Sequence, residues 1–267
     1  MSDIPANPAA PTNDPSIKNR YGELCAEVYV LDKPPGALDD IGYYTAELGA
    51  LSGPVLEAGC GAGRLLIPLL EAGVPIEGFD RSAAMLAQAR QACDARGLNA
   101  TLRRMSFHDF AYPAPFAAIV SPVGTFTLID DYAEALAALR RFREHLAPGG
   151  RLYVDLMPLG YLTSAAHDSV RTWMTPAGDL LRLETRRVEV DLLGQRLVCH
   201  TRYERWRGGR LVESELEELA TRAWGLHEFE LTLKEAGFTD VSVCGGYRPG
   251  RPPRATDRWW CFRAVRG

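Results

Sequence analysis

No two cysteines in this chain stand at a distance suited to metal or redox chemistry. The six lie at positions 25, 60, 93, 199, 244 and 261 and never come closer than 17 residues, which excludes C-x-x-C redox motifs and the usual zinc spacings. They read as reduced thiols, and no metal is expected. Long apolar runs are missing as well, and no stretch approaches the roughly 20 residues of a membrane helix. Residues 1–17 carry Pro5, Pro8, Pro11 and Pro15 among small polar residues. They have neither the basic start nor the apolar centre of a signal peptide, so a disordered tail on a soluble, cytoplasmic protein is expected. Nor is there an excess of one charge: 30 Lys and Arg face 34 Asp and Glu, a net charge of −4. That leaves no basic footprint for nucleic acid. A hydrophobic content of 46% over 267 residues suffices for one α/β domain with an insertion.

What the chain does have is the stretch Val55-Leu56-Glu57-Ala58-Gly59-Cys60-Gly61-Ala62-Gly63-Arg64, followed by the apolar helix Leu65 to Ala72 and by Val74 to Asp80. It reads as buried strand, glycine turn, helix, second strand and acidic residue. Alternate glycines keep side chains off the turn, so a ligand can approach its backbone. The helix behind it aims free N–H groups the same way. Asp80 ends the second strand roughly 20 residues on, where a carboxylate in folds of this kind binds ribose hydroxyls. A nucleoside-containing ligand is implied.

The spacing narrows the ligand. A dinucleotide fingerprint is G-x-G-x-x-G, with a diphosphate at the helix N-terminus. Here the glycines run G-x-G-x-G, the next position is the bulky Arg64, and Glu57 ahead of the turn would repel phosphate. An acid at that place suits an amine-bearing ligand. This ordered set resembles the motif of the class I S-adenosylmethionine-dependent methyltransferases, small-molecule branch. The resemblance implies S-adenosyl-L-methionine as cofactor, with Glu57 facing its amino group and Asp80 its ribose. Ala58, Gly59, Cys60, Gly61, Gly63, Arg64, Arg81 and Met85 would surround it. It also implies a Rossmann-like α/β fold, a seven-stranded and mostly parallel sheet with a terminal antiparallel hairpin. Residues 18–267 would form that domain.

Two amphipathic segments, Tyr21 to Val30 and Leu38 to Leu51, precede the first strand. They resemble the family's lid helices, over about 18–51, which makes Tyr29, Tyr43 and Tyr44 candidates to close over the sulfonium; packing within an amphipathic helix is the competing reading. Ser82 is a good N-cap for the helix from Ala83, and Gly97 closes it. Ser106 and Phe107 occupy the places of the family's adenine-gripping acid and apolar residue, with a hydroxyl replacing the acid. His108 beside them is a weak catalytic candidate, as is Tyr29. The strand Ala117 to Val120 leads into Ser121-Pro122-Val123-Gly124-Thr125-Phe126, a loop that should border cofactor and substrate at the carboxyl end of the sheet. It is neither the N-P-P-Y element of DNA amino-methylating enzymes nor a strand-end aspartate for magnesium. A small-molecule methyl acceptor, with no nucleic acid and no membrane, is therefore expected.

Asp130 or Asp131 caps the helix Tyr132 to Leu146, and Pro148-Gly149-Gly150 followed by an apolar strand is a second family hallmark. From Leu181 to Trp224 residues alternate, with turns at Leu193-Gly194 and Gly208-Gly209. This predicts a three-stranded antiparallel meander inserted after strand five, over about 173–224. It could roof a substrate pocket or pair two copies into a homodimer. Trp173, Arg202 and Trp224 are its candidate substrate contacts, against cross-strand packing, and Tyr29 and Phe126 are candidates from outside it. Methyl transfer needs a general base only if the acceptor must lose a proton before it attacks. N- or O-methylation in metabolite or natural-product biosynthesis is expected. Three alternatives stay open: a nicotinamide-dependent oxidoreductase, a non-catalytic cofactor-binding interaction protein, and a peptide methyltransferase.

Overall fold

The computed structural model describes residues 18–163 and 168–267. The tail expected over 1–17 lies outside the described residues. Two helices open the chain, α1 (Glu23–Asp32) and α2 (Asp40–Gly49). Alternation follows: β1 (Val55–Ala58), α3 (Leu66–Glu71), β2 (Ile76–Asp80), α4 (Ala83–Asp94), β3 (Leu102–Arg104), β4 (Phe116–Ser121), α5 (Tyr132–His145) and β5 (Leu146–Leu156). The insert contributes β6 (Ser169–Met174), β7 (Leu180–Asp191), β8 (Arg196–Arg207) and β9 (Arg210–Arg222). The chain ends with α6 (Leu226–Glu235), β10 (Phe238–Gly245) and β11 (Trp260–Arg266). The expected caps form: Ser82 Oγ accepts from Met85 N, and Asp131 accepts from Glu134 N.

The main sheet runs β10-β11-β5-β4-β1-β2-β3. It is parallel except for β11, which is antiparallel to both neighbours. Chain order reverses between β1 and β4, so their carboxyl ends flank a crevice. Helices cover both faces. On the side of α5 and α6 the core is aromatic, with Phe110, Phe126, Phe142, Trp224, Phe229 and Phe262 in one cluster. On the other, Tyr44 and Leu48 of α2 meet Leu66 of α3 and Leu86 of α4.

The insert has four strands, in the order β6-β7-β8-β9, where the sequence predicts three. The missed strand, β6, is an edge that buries neither face fully, so it carries no two-residue hydrophobic alternation. Gly208 and Gly209 both have positive φ, +54° and +74°, as a two-residue hairpin turn matched to strand twist requires.

The insert also holds the first helix. Gly22 offers α1 no side-chain cap. In its place, Glu215 Oε2 accepts from Leu24 N at 3.0 Å and Glu217 Oε1 accepts from Tyr21 N at 2.9 Å, both from β9. Leu24, Cys25 and Val28 pack against Leu181, Leu183 and Tyr203. The buried Asn19 bonds both backbone groups of Ala220 and the Leu128 carbonyl. The N-terminal segment is thus fastened to the insert.

Candidate functional site

The glycine turn follows β1 with Gly59, Gly61 and Gly63 all at positive φ. A Cβ at Gly59 would lie 2.4 Å from Thr125 Cγ2 and 3.3 Å from Phe107 Cζ, so the first glycine lets the loop after β4 come close. Asp80, at the end of β2, braces the turn: Oδ2 accepts from Gly61 N at 2.9 Å and Oδ1 from Ser82 N at 2.8 Å. Burial raises its carboxyl pKa, and these two donors pull against that rise.

Glu57 is the other acid. It is 2% exposed, and Oε2 has no hydrogen-bond partner. Burial pushes its pKa up to about 8, against the opposing pull of the Arg64 guanidinium. Arg64 itself donates to both oxygens of Asp40 at 2.8 and 2.7 Å, a buried bidentate pair that ties the start of α2 to the glycine turn. A buried, unpaired carboxylate oxygen at the mouth of a glycine turn is a receptor for a cationic donor such as an ammonium group. That chemistry fits the amine end of S-adenosylmethionine, as the ribose-type acid Asp80 fits its other end.

Both acids open on a cavity of about 320 Å³. Of the expected cofactor residues, Glu57, Gly59, Cys60, Gly61, Arg64, Asp80, Arg81, Met85, Ser106 and Phe107 line it. Ala58 and Gly63 do not line it: Ala58 packs in the core, and a Cβ on Gly63 would meet Ile67 Cδ1 at 2.9 Å. Ser121 is fully buried, with its hydroxyl unpartnered. Ser106 is held from outside the cavity by Asp109, whose Oδ1 accepts from both its N–H and its hydroxyl at 2.8 Å. These bonds lower the Asp109 pKa. Phe107 sits edge-on to Phe79 and Phe126.

The weak catalytic candidates Tyr29 and His108 both line the cavity. Burial pushes the Tyr29 pKa up to about 12, with Arg64 opposing, so the phenol keeps its proton at neutral pH. His108 is half exposed, 3.9 Å from Glu134.

The lid reading of Tyr43 and Tyr44 is corrected. Tyr44 is fully buried and donates to Asp155 Oδ1 at 2.7 Å, and Tyr43 packs on it and on Tyr247. Asp155 Oδ2 also accepts from Tyr247 Oη and Val123 N, each at 2.9 Å. Burial raises the Asp155 pKa to about 6 against these donors. This carboxyl holds Val123 at φ +52° on the cavity wall, a conformation that β-branched residues rarely adopt.

The four substrate contacts expected besides Tyr29 lie elsewhere. Phe126 and Trp224 are fully buried in the core beside Phe229. Trp173 packs on the α1 cluster under Arg171. Arg202 is half exposed and paired with Glu204. Bulk and aromaticity favour burial as readily as they favour a pocket, and here the core claimed both residues. The insert instead offers Leu219 and Thr221 of β9 to the cavity, and Tyr161, Arg258 and Trp259 complete the wall. The Trp259-Trp260 pair was the available signal, since strand alternation sends Trp260 into the core and Trp259 the other way.

Comparison with known proteins agrees with this geometry. Residues 55–150 match a family described as a methyltransferase domain. The cypemycin N-terminal methyltransferase of a Streptomyces species is 28% identical over 250 residues, 92% of this chain and 96% of that protein. The dTDP-3-amino-3,6-dideoxy-alpha-D-glucopyranose N,N-dimethyltransferase of Streptomyces fradiae is 30% identical over 188 residues, 65% of this chain and 71% of that protein. In fold, the sugar N-methyltransferase KedS8 from a Streptoalloteichus species superposes with a TM-score of 0.73 at 18% identity, covering 99% of both chains.

Proposed function

The chain belongs to the class I S-adenosylmethionine-dependent methyltransferases, and from that premise we propose that it methylates an amine nitrogen on a small-molecule acceptor of natural-product biosynthesis. The observation that carries the cofactor assignment is the unpaired, buried oxygen of Glu57 facing the cavity from beneath the glycine turn. Glu57 would hold the cofactor's ammonium group, Asp80 its ribose, and Phe107 and Ser106 its base. When bound, S-adenosylmethionine supplies a methyl group already activated on a positively charged sulfur. What the chain adds is alignment of the acceptor's lone pair, and proximity of this kind can supply about 7–11 kcal/mol.

The choice of nitrogen rests on proton chemistry. An amine attacks with its own lone pair and sheds a proton afterwards, whereas an alcohol needs a base aimed at its hydroxyl. Tyr29 keeps its own proton, and His108 stands half exposed beside Glu134. The names of the two relatives, an N-terminal methyltransferase and an N,N-dimethyltransferase, support the same choice. Calorimetric titration with S-adenosylhomocysteine, with NADH as control, tests the cofactor. A mass-spectrometric screen of matched small amines and alcohols then tests the acceptor. Micromolar binding of the homocysteine compound alone, with methyl gain only on amines, is expected. Tight NADH binding or methyl gain only on alcohols would overturn the reading.

A further inference from the structure

The cavity is acidic at the glycine turn and basic elsewhere. Of the basic chains that line it, Arg64 is held by Asp40 and Arg81 donates to the backbone carbonyls of Lys18 and Asn19. Two remain. Lys33 stands just beyond the end of α1, its Nζ 4.9 Å from the centre of the Tyr29 ring. Arg258 precedes β11, its guanidinium 5.9 Å from the Trp259 ring. Neither forms an ion pair with a carboxylate among the described residues. Asp32, the acid nearest Lys33 in sequence, is paired at 2.5 Å with Arg171.

Two cations that face one cavity without partners repel each other, and an anion between them removes that cost. We propose that Lys33 and Arg258 form an anion-binding subsite that takes a carboxylate or phosphate group of the amine acceptor. The inference rests on the methyltransferase reading and adds the acceptor's second feature, a negative charge set apart from the reacting amine. Burial lowers the Lys33 pKa against the pull of the nearby Asp32 carboxylate, and repulsion from Arg171, Arg64 and Arg258 adds to the lowering. An anion beside Lys33 would oppose that trend.

The same chemistry could come from the cofactor's own carboxylate, and the test separates the two sources. Inorganic pyrophosphate is titrated calorimetrically into the protein alone and into its S-adenosylhomocysteine complex, for the wild type, Lys33→Met, Arg258→Met and the rescue variant Lys33→Arg. Thermal midpoints should hold in the two methionine variants, because each removes a repulsive charge, and in Lys33→Arg, which keeps it. Pyrophosphate should bind the loaded wild type. Each methionine variant should weaken that binding by about tenfold, the scale of a lost charge-assisted hydrogen bond, while Lys33→Arg restores it and homocysteine-compound affinity stays within a factor of about three. A tenfold loss of cofactor-product affinity in Lys33→Met, with no pyrophosphate bound to the loaded protein, would assign the subsite to the cofactor and overturn the proposal. Pyrophosphate binding indifferent to both substitutions would overturn it too. If S-adenosylhomocysteine fails to bind the wild type, the cofactor reading falls instead, while pyrophosphate binding to the unloaded protein still reports on the two cations.

Discussion

The cofactor assignment makes affinity for S-adenosylhomocysteine depend on the protonation of one buried acid. In the free protein burial raises the Glu57 pKa to about 8, so at neutral pH the side chain is mostly neutral. An ammonium group beside Oε2 favours the carboxylate, and binding must then expel the proton. The sign follows from linkage: below pH 8 each complex releases up to one proton, so affinity climbs with pH and levels off above 8. From pH 6 to pH 8 the gain is about 50-fold, or roughly 2 kcal/mol, if the bound carboxyl titrates below 6. Calorimetry at pH 6, 7 and 8, repeated in two buffers of different ionisation heat, measures both the affinity and the proton released. Glu57→Gln should bind more weakly at pH 8 and lose the slope, which separates Glu57 from Asp155 and Glu217, whose pKa values burial raises to about 6 and about 7. A flat profile, or a slope that survives in Glu57→Gln, would falsify the ammonium assignment.

Three further outcomes are expected. Asp80→Ala should weaken S-adenosylhomocysteine binding by about 1.5–3 kcal/mol, the range for hydrogen bonds to a charged group. Because Asp80 also braces Gly61 and Ser82, the same variant should lower the melting temperature; unchanged affinity would contradict the ribose role. Arg64→Met leaves Asp40, which is 0% exposed, as an uncompensated buried charge, and should cost about 3–5 kcal/mol in denaturant unfolding. Adding Asp40→Asn should return much of that loss, and a double variant as unstable as the single one would show that packing, not charge, holds α2. Val123→Gly should relieve a positive φ and stabilise the fold by about 1 kcal/mol while lowering kcat, since the wall of the cavity loses a fixed point; a destabilised variant would show that the conformation carries no strain.

How much of this was legible in the sequence depended on how local each feature is. The glycine turn, its brace Asp80 and the caps Ser82 and Asp131 lie within elements or within about 20 residues of one another, and turn geometry and capping dictate them through nearest neighbours. Asp109 could have been read in the same way, since it is three residues from the Ser106 hydroxyl that it holds. The node at Asp155 could not. Its donors Tyr44 and Tyr247 stand 111 and 92 residues away, and each by itself is an ordinary tyrosine on an amphipathic element.

That division has a chemical consequence. The residues proposed to hold the cofactor are sequence-local, whereas the rest of the cavity wall, from Lys33 and Val123 through Tyr161 and Leu219 to Trp259, is assembled from five separate segments. Helix α1 belongs to the second group. Its N-terminal N–H groups end on Glu215 and Glu217 of the insert and its C-terminal end sets Lys33 at the cavity. A change in the insert can therefore move Lys33 without touching the glycine turn. If Lys33 holds an anion of the acceptor as proposed, acceptor choice would vary with the insert while the cofactor chemistry stays fixed.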